Sequence, residues 1–190
     1  MKDTIILFSG GLDSTVLLWS ERERVKAALF AEYGQPAERE EALATALIME
    51  RLRIPLRSIR VPLSGLKAMQ TGSGETGARV VPARNLVLLS HAVNLALAEG
   101  CSRVVYGATG GDVGSYADCR PAFVDALSAL CVPLGCIIEA PLIGRSKADV
   151  VTIGRSLGAP LDLSWSCYAP RFGRPCEGCN ACLERLAALG

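Results

Sequence analysis

The stretch Ile5-Ile6-Leu7-Phe8-Ser9-Gly10-Gly11-Leu12-Asp13-Ser14 decides the fold of this 190-residue chain. Apolar, strand-forming residues lead into Ser-Gly-Gly-x-Asp-Ser, and the helical pattern Thr15-Val16-Leu17-Leu18-Trp19 follows directly. Paired glycines let a backbone turn sharply and approach a ligand closely. The helix behind the turn directs free N–H groups and the positive end of its dipole at that ligand. The stretch therefore predicts a strand, an anion-binding turn and a helix, with phosphate as the expected ligand.

The turn differs from the Walker phosphate loop, because no Gly-Lys-Ser/Thr ends it. Its order of residues instead resembles the pyrophosphate loop of the N-type ATP pyrophosphatases, which split ATP between the α and β phosphates and leave AMP on a substrate oxygen. The resemblance implies that ATP is bound by Phe8, Ser9, Gly10, Gly11, Leu12, Asp13, Ser14 and Thr15. The structural alternative is a plain strand-to-helix turn with an Asp-Ser cap.

The rest of the chain alternates predicted strands with predicted helices. Strands are expected at 4–8, 25–31, 57–61, 103–106 and 136–139, and helices at 14–22, 37–52, 85–99, 121–132 and from the capping box 146–149 to 157. This alternation predicts an α/β fold, in which helices cover both faces of a parallel five-stranded sheet. Ligands of such sheets bind beyond the carboxyl ends of the strands, where the Ser-Gly-Gly turn lies. We expect residues 1–161 to form this nucleotide-binding and catalytic domain, with a mobile loop at 64–79.

Composition and charge exclude several classes of protein. The chain is 50% hydrophobic and 21% charged, which is typical of a soluble globular protein. A formal net charge of +1 and an aromatic content of 5% provide neither a basic surface nor a stacking platform for a long nucleic acid. No apolar stretch approaches the roughly 20 residues of a membrane span. Because Met1 leads directly into a strand, we expect a cytoplasmic protein without membrane contact.

Four of the eight cysteines are clustered near the end of the chain, at Cys167, Cys176, Cys179 and Cys182. This spacing lets thiolates from a tight turn reach one metal ion, and Gly178 is expected to provide room in that turn. Thiols stay reduced in the cytoplasm, so disulfides are not expected. Four thiolates are the ligand set of a structural zinc site, while an iron–sulfur cluster uses the same ligands. Residues 162–190 are therefore predicted to form a zinc-binding segment packed on the same domain.

Five blocks of sequence together resemble the 7-cyano-7-deazaguanine synthase family, which makes the queuosine precursor preQ0. The blocks are 8–15, 32–35, 81–85, 116–123 and 165–182. The resemblance implies a homodimeric ligase that uses ATP, Mg2+ and Zn2+ to convert 7-carboxy-7-deazaguanine and ammonia to the nitrile. The chain departs from the family pattern at Glu32, at Pro36-Ala37 and at Val113, and its segment 64–81 is shorter. The last two departures lie where a substrate would be held, so they concern the choice of acyl substrate or amine acceptor.

The matched blocks also supply candidate catalytic residues, namely Asp13, Ser14, Arg84 and Lys147. Asp13 is expected to hold the magnesium of the nucleotide, and the Ser14 hydroxyl to hold the departing pyrophosphate. Arg84 and Lys147 are candidate cationic clamps for phosphates or for a substrate carboxylate. Each of these three charged residues has a plainer alternative, as a helix cap for Asp13 and as a solvated surface charge for the other two.

Candidate substrate-binding residues are Arg84, Asn85, Tyr116, Asp118 and Arg120. Asp118 and Arg120 are expected to face the deazaguanine base, since its amino and lactam edge requires a carboxylate partner. Cys119, between them, is expected to pack rather than to react. His91, the single histidine, is expected at a core or boundary position without a catalytic role.

Three other functions were weighed against this assignment. A related pyrophosphate-loop ligase would adenylate a deazaguanine carboxylate and pass the acyl group to another amine, even one on a protein. An enzyme that thiolates tRNA would favour a basic surface and a lone catalytic cysteine, against the net charge and the clustered thiolates seen here. A nucleotide-binding sensor without catalysis would have little use for Asp13, Arg84 and the 118–120 segment together.

Overall fold

The computed structural model describes residues 2–63 and 81–190, so the loop predicted at 64–79 lies outside the described residues. Five strands form one sheet: β1 Thr4–Leu7, β2 Val25–Glu32, β3 Leu56–Arg60, β4 Arg103–Tyr106 and β5 Ile137–Glu139. They are all parallel and stand in the order β3-β2-β1-β4-β5. The predicted parallel five-stranded α/β fold is confirmed.

Six α-helices accompany the sheet in the described part of the chain: α1 Leu12–Glu21, α2 Glu38–Leu52, α3 Arg84–Ala98, α4 Pro121–Cys131, α5 Lys147–Ser156 and α6 Asn180–Leu189. The first five correspond to the predicted helices, and the predicted capping box is present at the start of α5. Helix α1 begins two residues earlier than predicted, because the backbone turns at Gly11. Helix α6 has no counterpart among the predicted elements. None of the helices in these ranges combines the length and the apolar composition that crossing a bilayer requires.

Helices cover both faces of the sheet because successive strand residues point to opposite sides. On one face Ile5, Val104 and Ile138 pack in a single buried cluster with apolar residues of α3 and α4. On the other face Ile6 and Val105 pack with apolar residues of α1, α2 and α5. The strands consequently read as nearly continuous apolar runs, as expected for a parallel sheet buried on both sides.

The strand order places a crevice at the carboxyl end of β1. From β1 the chain builds β2 and β3 on one side and then returns to build β4 and β5 on the other. Connections that leave β1 and β4 in opposite directions open a crevice between them, and ligands of such folds bind there. Gly107, just after β4, lies so close to the start of α1 that an added Cβ would be 3.2 Å from the Ser14 nitrogen.

Hydrogen bonds join the cysteine-containing segment 162–190 to the rest of the molecule. The Trp165 backbone N–H donates to the carbonyl of Gly10 over 2.9 Å. From α6, the Arg185 guanidinium donates to the Leu161 carbonyl over 2.7 Å. The segment therefore contacts the phosphate-loop candidate directly.

Candidate functional site

A cavity of about 260 Å³ lies at the carboxyl ends of β1, β2 and β4. Eleven of the predicted site residues line it, namely Phe8, Ser9, Gly11, Leu12, Asp13, Ser14, Arg84, Asn85, Tyr116, Asp118 and Lys147. Residues that are distant in sequence thus meet in one space. The cavity also lies where the strand order opens the crevice, which makes it the candidate active site.

Apart from the four cysteines, three predicted site residues do not line this cavity. Gly10 lies behind the loop at a φ of +71°, and a Cβ there would be 2.9 Å from the Thr45 nitrogen of α2. The buried Thr15 donates its hydroxyl to the Gly11 carbonyl over 2.8 Å. Gly10 and Thr15 therefore shape the loop from outside the cavity wall. The exposed Arg120 donates from Nε to the Val113 carbonyl over 3.3 Å, so its placement does not support the prediction that it faces a base.

The loop after β1 presents hydroxyl and N–H groups to the cavity. The Ser14 hydroxyl donates to the Gly11 carbonyl over 3.0 Å and lies 3.3 Å from the Ser9 hydroxyl. Gly11 is the N-cap of α1 in an extended conformation, and no side chain caps the helix. The first N–H groups of α1, on residues 12–14, consequently remain available to an anion. Asp13 lies inside the first turn, so the alternative role as a helix cap is not the one observed.

Asp13 and Lys147 form an ion pair at this loop. The Lys147 ammonium, at the start of α5, donates to Asp13 Oδ2 over 2.6 Å. Asp13 Oδ1 is buried and accepts no hydrogen bond from any described residue. Burial raises the pKa of Asp13, while the Lys147 charge acts in the opposite direction. A buried carboxylate oxygen without a donor fits a ligand for magnesium, which binds hard oxygen atoms.

Arg84 is the first residue of α3 and reaches into the cavity beside an aromatic residue. Its Nη1 donates to the Tyr33 hydroxyl over 3.3 Å. The preceding residue, Ala83, has a φ of +52°, a left-handed conformation that a non-glycine residue adopts at a cost. Strained backbone of this kind is common where a side chain must be held for function, which favours a ligand-binding role for Arg84 over that of a solvated charge.

Asp118, also in the cavity wall, secures the start of α3. Its Oδ2 accepts the Asn85 backbone N–H over 2.9 Å, and its carbonyl accepts the Tyr106 hydroxyl over 3.2 Å. The Asn85 amide donates to Cys119 Sγ over 3.2 Å. Burial raises the pKa of the Cys119 thiol to about 12, so the thiol stays protonated and packs, as expected. One carboxylate oxygen of Asp118 is thus already engaged in holding a helix terminus.

The cavity wall also contains residues to which the sequence analysis gave no role: Tyr33, Gln35, Glu41, Asp112, Tyr168, Glu184 and Arg185. Tyr33 and Gln35 belong to the matched block 32–35, which was the available signal for them. Glu41 lies in none of the matched blocks. Glu184 and Arg185 belong to α6, which was not predicted.

One other expectation was wrong, and one departure from the family pattern can be placed in the structure. His91 is exposed on α3 rather than placed at a core or boundary position. Glu32, one of the departures from the family pattern, pairs with Arg60 over 3.2 Å on the surface and does not line the cavity. That departure therefore lies away from the candidate site.

The four clustered cysteines converge on one point, with all four Sγ atoms within 4.8 Å of one another. Sulfurs at about 2.3 Å from a tetrahedral zinc ion are about 3.8 Å apart, so small shifts suffice to bind one ion. The four sulfurs of a cube-shaped iron–sulfur cluster lie farther apart, because the cluster itself separates them. The donor set and its spacing therefore fit zinc better than a cluster.

In the turn between the cysteines, the left-handed backbone conformation falls on Glu177, whereas the sequence pointed to Gly178 as the special residue. Glu177 has a φ of +58°, whereas Gly178 has an ordinary backbone and room for a Cβ, with the nearest atom at 3.8 Å. The expectation that Gly178 provides the room was therefore wrong. The Gly178 N–H instead contributes most to lowering the pKa of Cys176, to about 6, which favours a metal-binding thiolate.

The cysteine cluster is connected to the cavity through α6. Cys179 is the N-cap of this helix and Cys182 lies in its first turn. Ala181, Glu184 and Arg185, from the same helix, line the cavity. A metal ion on the cysteines would consequently hold one wall of the candidate active site in place.

Comparison with known proteins agrees with this arrangement. The family profile of queuosine biosynthesis protein QueC matches residues 3–190. A 7-cyano-7-deazaguanine synthase from Marinobacter nauticus is 36% identical over 212 residues, covering 100% of this chain and 93% of its own length. A 7-cyano-7-deazaguanine synthase from Archaeoglobus fulgidus is 36% identical over 205 residues, covering 97% of this chain and 84% of its own length.

A solved structure with low sequence identity shares the fold. NMN synthetase from Francisella tularensis superposes with a TM-score of 0.60 at 17% identity, covering 97% of this chain and 82% of that protein. At this identity the likeness concerns the arrangement of strands and helices, so the chemistry has to be argued from the cavity.

Proposed function

Because the chain belongs to the QueC family of queuosine biosynthesis proteins, we propose that it is an ATP-dependent ligase that forms 7-cyano-7-deazaguanine from 7-carboxy-7-deazaguanine and ammonia. The relatives of similar length are named 7-cyano-7-deazaguanine synthase. The observation that carries the proposal is the Asp13–Lys147 pair at the uncapped start of α1, in one cavity with Arg84. This combination can bind a triphosphate, its metal ion and an acidic substrate together.

The first chemical step activates the substrate acid. A carboxylate oxygen attacks the α-phosphorus of ATP, the bond to the bridging oxygen breaks, and pyrophosphate leaves with the electron pair. The N–H groups of residues 12–14, with the hydroxyls of Ser9 and Ser14, would hold the charge that grows on the leaving group. Asp13 would hold Mg2+, which supplies further positive charge to the phosphates.

The cationic residues would orient the two negatively charged reactants. Lys147 lies beside Asp13 at the loop, where its ammonium can contact phosphate oxygens. Arg84 donates to Tyr33 in the wall of the same cavity, and its guanidinium fits a carboxylate or phosphate in two-point contact. Positioning of this kind supplies most of the catalysis, because no covalent intermediate with the protein is required.

Two further steps lead to the nitrile. Ammonia attacks the acyl carbon, AMP leaves, and the primary amide forms after loss of a proton. The amide oxygen then attacks the α-phosphorus of a second ATP and pyrophosphate leaves, after which loss of AMP and of the two N–H protons produces the C≡N bond. The overall reaction therefore consumes two ATP, and free ammonia is the proposed nitrogen source.

We assign a structural role to the metal. Zn2+ bound to Cys167, Cys176, Cys179 and Cys182 would have a closed shell of four thiolates, with no open position for a substrate. Its contribution is to fold the segment and to hold α6 against the cavity. The homodimer implied by the family resemblance stays a prediction, which sedimentation velocity of the purified protein can test.

The experiment is turnover of the purified protein with 7-carboxy-7-deazaguanine, ATP, magnesium and ammonium, followed by mass spectrometry. We expect the nitrile, about two AMP and two pyrophosphate per product, and a transient amide that is itself converted when added. Asp13→Ala should abolish turnover without unfolding, while the exposed Asp125→Ala should retain it. Release of ADP and phosphate would contradict the pyrophosphatase chemistry. Accumulation of the amide, or an acyl group attached to another amine, would replace this function by the related ligase.

A further inference from the structure

The cavity has a second polar centre on the β2 side, formed by Gln35 and Glu41. The Tyr33 backbone N–H donates to Gln35 Oε1 over 3.0 Å, and this contact fixes the orientation of the Gln35 amide. Gln35 Nε2 then donates to the Ala31 carbonyl over 3.2 Å and to Glu41 Oε2 over 2.9 Å. The buried Gln35 is thus fully hydrogen-bonded, and it holds the Glu41 carboxylate against the cavity.

No cation lies within salt-bridge distance of the Glu41 carboxylate in the described ranges, although the charge of Arg84, in the same cavity wall, acts on it. None of the ion pairs formed there includes it. Burial raises the pKa of Glu41 to about 7, which reflects how poorly the site solvates the ionised form. A carboxylate in such surroundings is costly unless donors satisfy it, and Gln35 supplies one donor. A ligand that fills the cavity would supply the others.

The walls around Glu41 fit a flat heterocycle. Ala31 and Leu88 are buried members of one apolar cluster with Tyr33 packed against it, and all three line the cavity. Apolar walls with one polar group at the edge are typical of sites that bind a ring system and read the groups on its rim. Because the polar group here is a carboxylate, the rim must offer N–H donors.

We propose that Glu41, held by Gln35, accepts a hydrogen bond from the exocyclic amino group of a purine-type base. The inference rests on the proposed function, whose two ring-bearing substrates, ATP and the deazaguanine acid, both carry such an amino group. The other carboxylate considered for a base, Asp118, already accepts the Asn85 backbone N–H. Asp118 thus has one oxygen engaged at a helix terminus, whereas the Glu41 carboxylate lies in the cavity wall with the apolar residues that fit a ring.

Glu41→Gln is the decisive substitution, because Gln35 dictates how the new amide must lie. Gln35 presents an N–H group, so the new side chain turns its oxygen towards Gln35 and its NH2 group towards the cavity. The new NH2 group then faces the amino group of the base, and two hydrogen-bond donors cannot pair. We expect the KM for one base-bearing substrate to rise about 10- to 100-fold, since a hydrogen bond to a charged group is lost. Which KM rises, for ATP or for the acid, identifies the base.

Direct binding separates this inference from the proposed function. Calorimetry with a non-hydrolysable ATP analogue and, separately, with the acid should show the same loss of affinity for one ligand, whether or not product forms. The exposed Glu50→Gln, on the same helix, should leave both affinities unchanged, and circular dichroism checks that each variant is folded. Unchanged affinities in Glu41→Gln, binding of neither ligand by the parent protein, or a change confined to kcat or to the KM for ammonium would overturn the assignment. A parent protein that binds both ligands but makes no nitrile would instead refute the proposed function.

Discussion

At the scale of single residues, the Asp13–Lys147 pair depends on two segments that the fold brings together. Asp13 stands in the first turn of α1, while Lys147 begins α5, 134 residues later. Both had been singled out from the sequence, but their contact had not. Their direct pairing sets a positive charge against the Asp13 carboxylate, which opposes the effect of burial on the pKa of Asp13.

Lys147→Met is expected to lower kcat at least about 100-fold, since removing one positioned donor to developing charge has an effect of this size. The substitution also removes the cation that opposes the burial effect on the pKa of Asp13, so that pKa should rise further. Rapid-quench measurement of pyrophosphate release tests the first expectation. Lys2→Met, at an exposed position, is the matched control. A kcat within threefold of the parent value would show that Lys147 is only a partner of Asp13.

Glu41 should make the stability of the protein depend on pH. Its pKa is raised from 4.5 to about 7 in the folded state, so the protonated form is favoured by folding. The corresponding stability is fully present below pH 4.5 and is lost as the pH rises through 7, by about 3 kcal/mol at most. Glu41→Gln should therefore stabilise the protein at pH 8 relative to the parent, and much less at pH 5. Urea unfolding at the two pH values measures this, and an equal effect at both would contradict it.

The sequence identified the site residues that lie in recognisable motifs. It did not identify those whose position in the cavity depends on how the helices pack. The loop, Arg84 and Asp118 were found because a matched block marks each of them. Glu41 was not, because nothing in its local sequence separates it from Glu40 beside it on the same helix. The difference between those two side chains is which one faces the cavity, and that depends on how α2 packs against the loop.

At the scale of elements, α2 sets the shape of the phosphate loop through Gly10. An added Cβ at Gly10 would lie 2.9 Å from both the Thr45 nitrogen and the Glu41 carbonyl oxygen, which are backbone atoms that cannot move aside singly. The φ of +71° adds the cost of a left-handed conformation. The requirement for glycine thus comes from a neighbouring helix rather than from the phosphate itself.

Gly10→Ala should accordingly reduce the free energy of unfolding by about 2 kcal/mol or more and weaken ATP binding with it. Gly114→Ala is a suitable control, because its φ is not positive and no atom lies within 4 Å of an added Cβ. Denaturant unfolding and nucleotide titration measure the two effects. A variant with unchanged stability would mean that α2 can move away from the loop.

The strands and helices with buried apolar faces were predicted from the sequence. Helix α6, which has no buried residue, was not. Strands such as β1 and helices such as α1 carry continuous buried faces. In α6 the partly buried Ala188 and Leu189 pack against the core, and Arg185 adds polar contacts. The residues around the cysteines were interpreted only as a metal-binding turn, which is why the helix that begins among them was not predicted.

At the scale of the whole molecule, the cysteine cluster and the active-site candidate are mechanically connected. The segment that enters the cluster donates from Trp165 to the Gly10 carbonyl, and the helix that leaves it lines the cavity. Metal loss should therefore affect the phosphate loop as well as the tail. This coupling could not be read from the sequence, where the loop and the cysteines stand at opposite ends.

Cys179→Ser is expected to lower zinc content and melting temperature together, and to weaken binding of the ATP analogue although no ligand of ATP has been changed. Elemental analysis, thermal melting and calorimetry provide the three readouts. Cys101→Ala, a buried cysteine outside the cluster, should keep its zinc. Brown, aerobically stable protein with iron and sulfide would show a cluster in place of zinc, and undiminished ATP affinity in the zinc-free variant would disprove the coupling.

The hydrogen bond from Trp165 to Gly10 also has a consequence for biosynthesis on the ribosome. Translation delivers the phosphate loop well before the segment that contains Trp165, because that segment lies far downstream in the chain. A nascent chain would therefore expose the glycine turn without the means to grip a nucleotide. The chain would therefore become able to bind ATP only after the last cysteines have left the exit tunnel and can bind a metal ion.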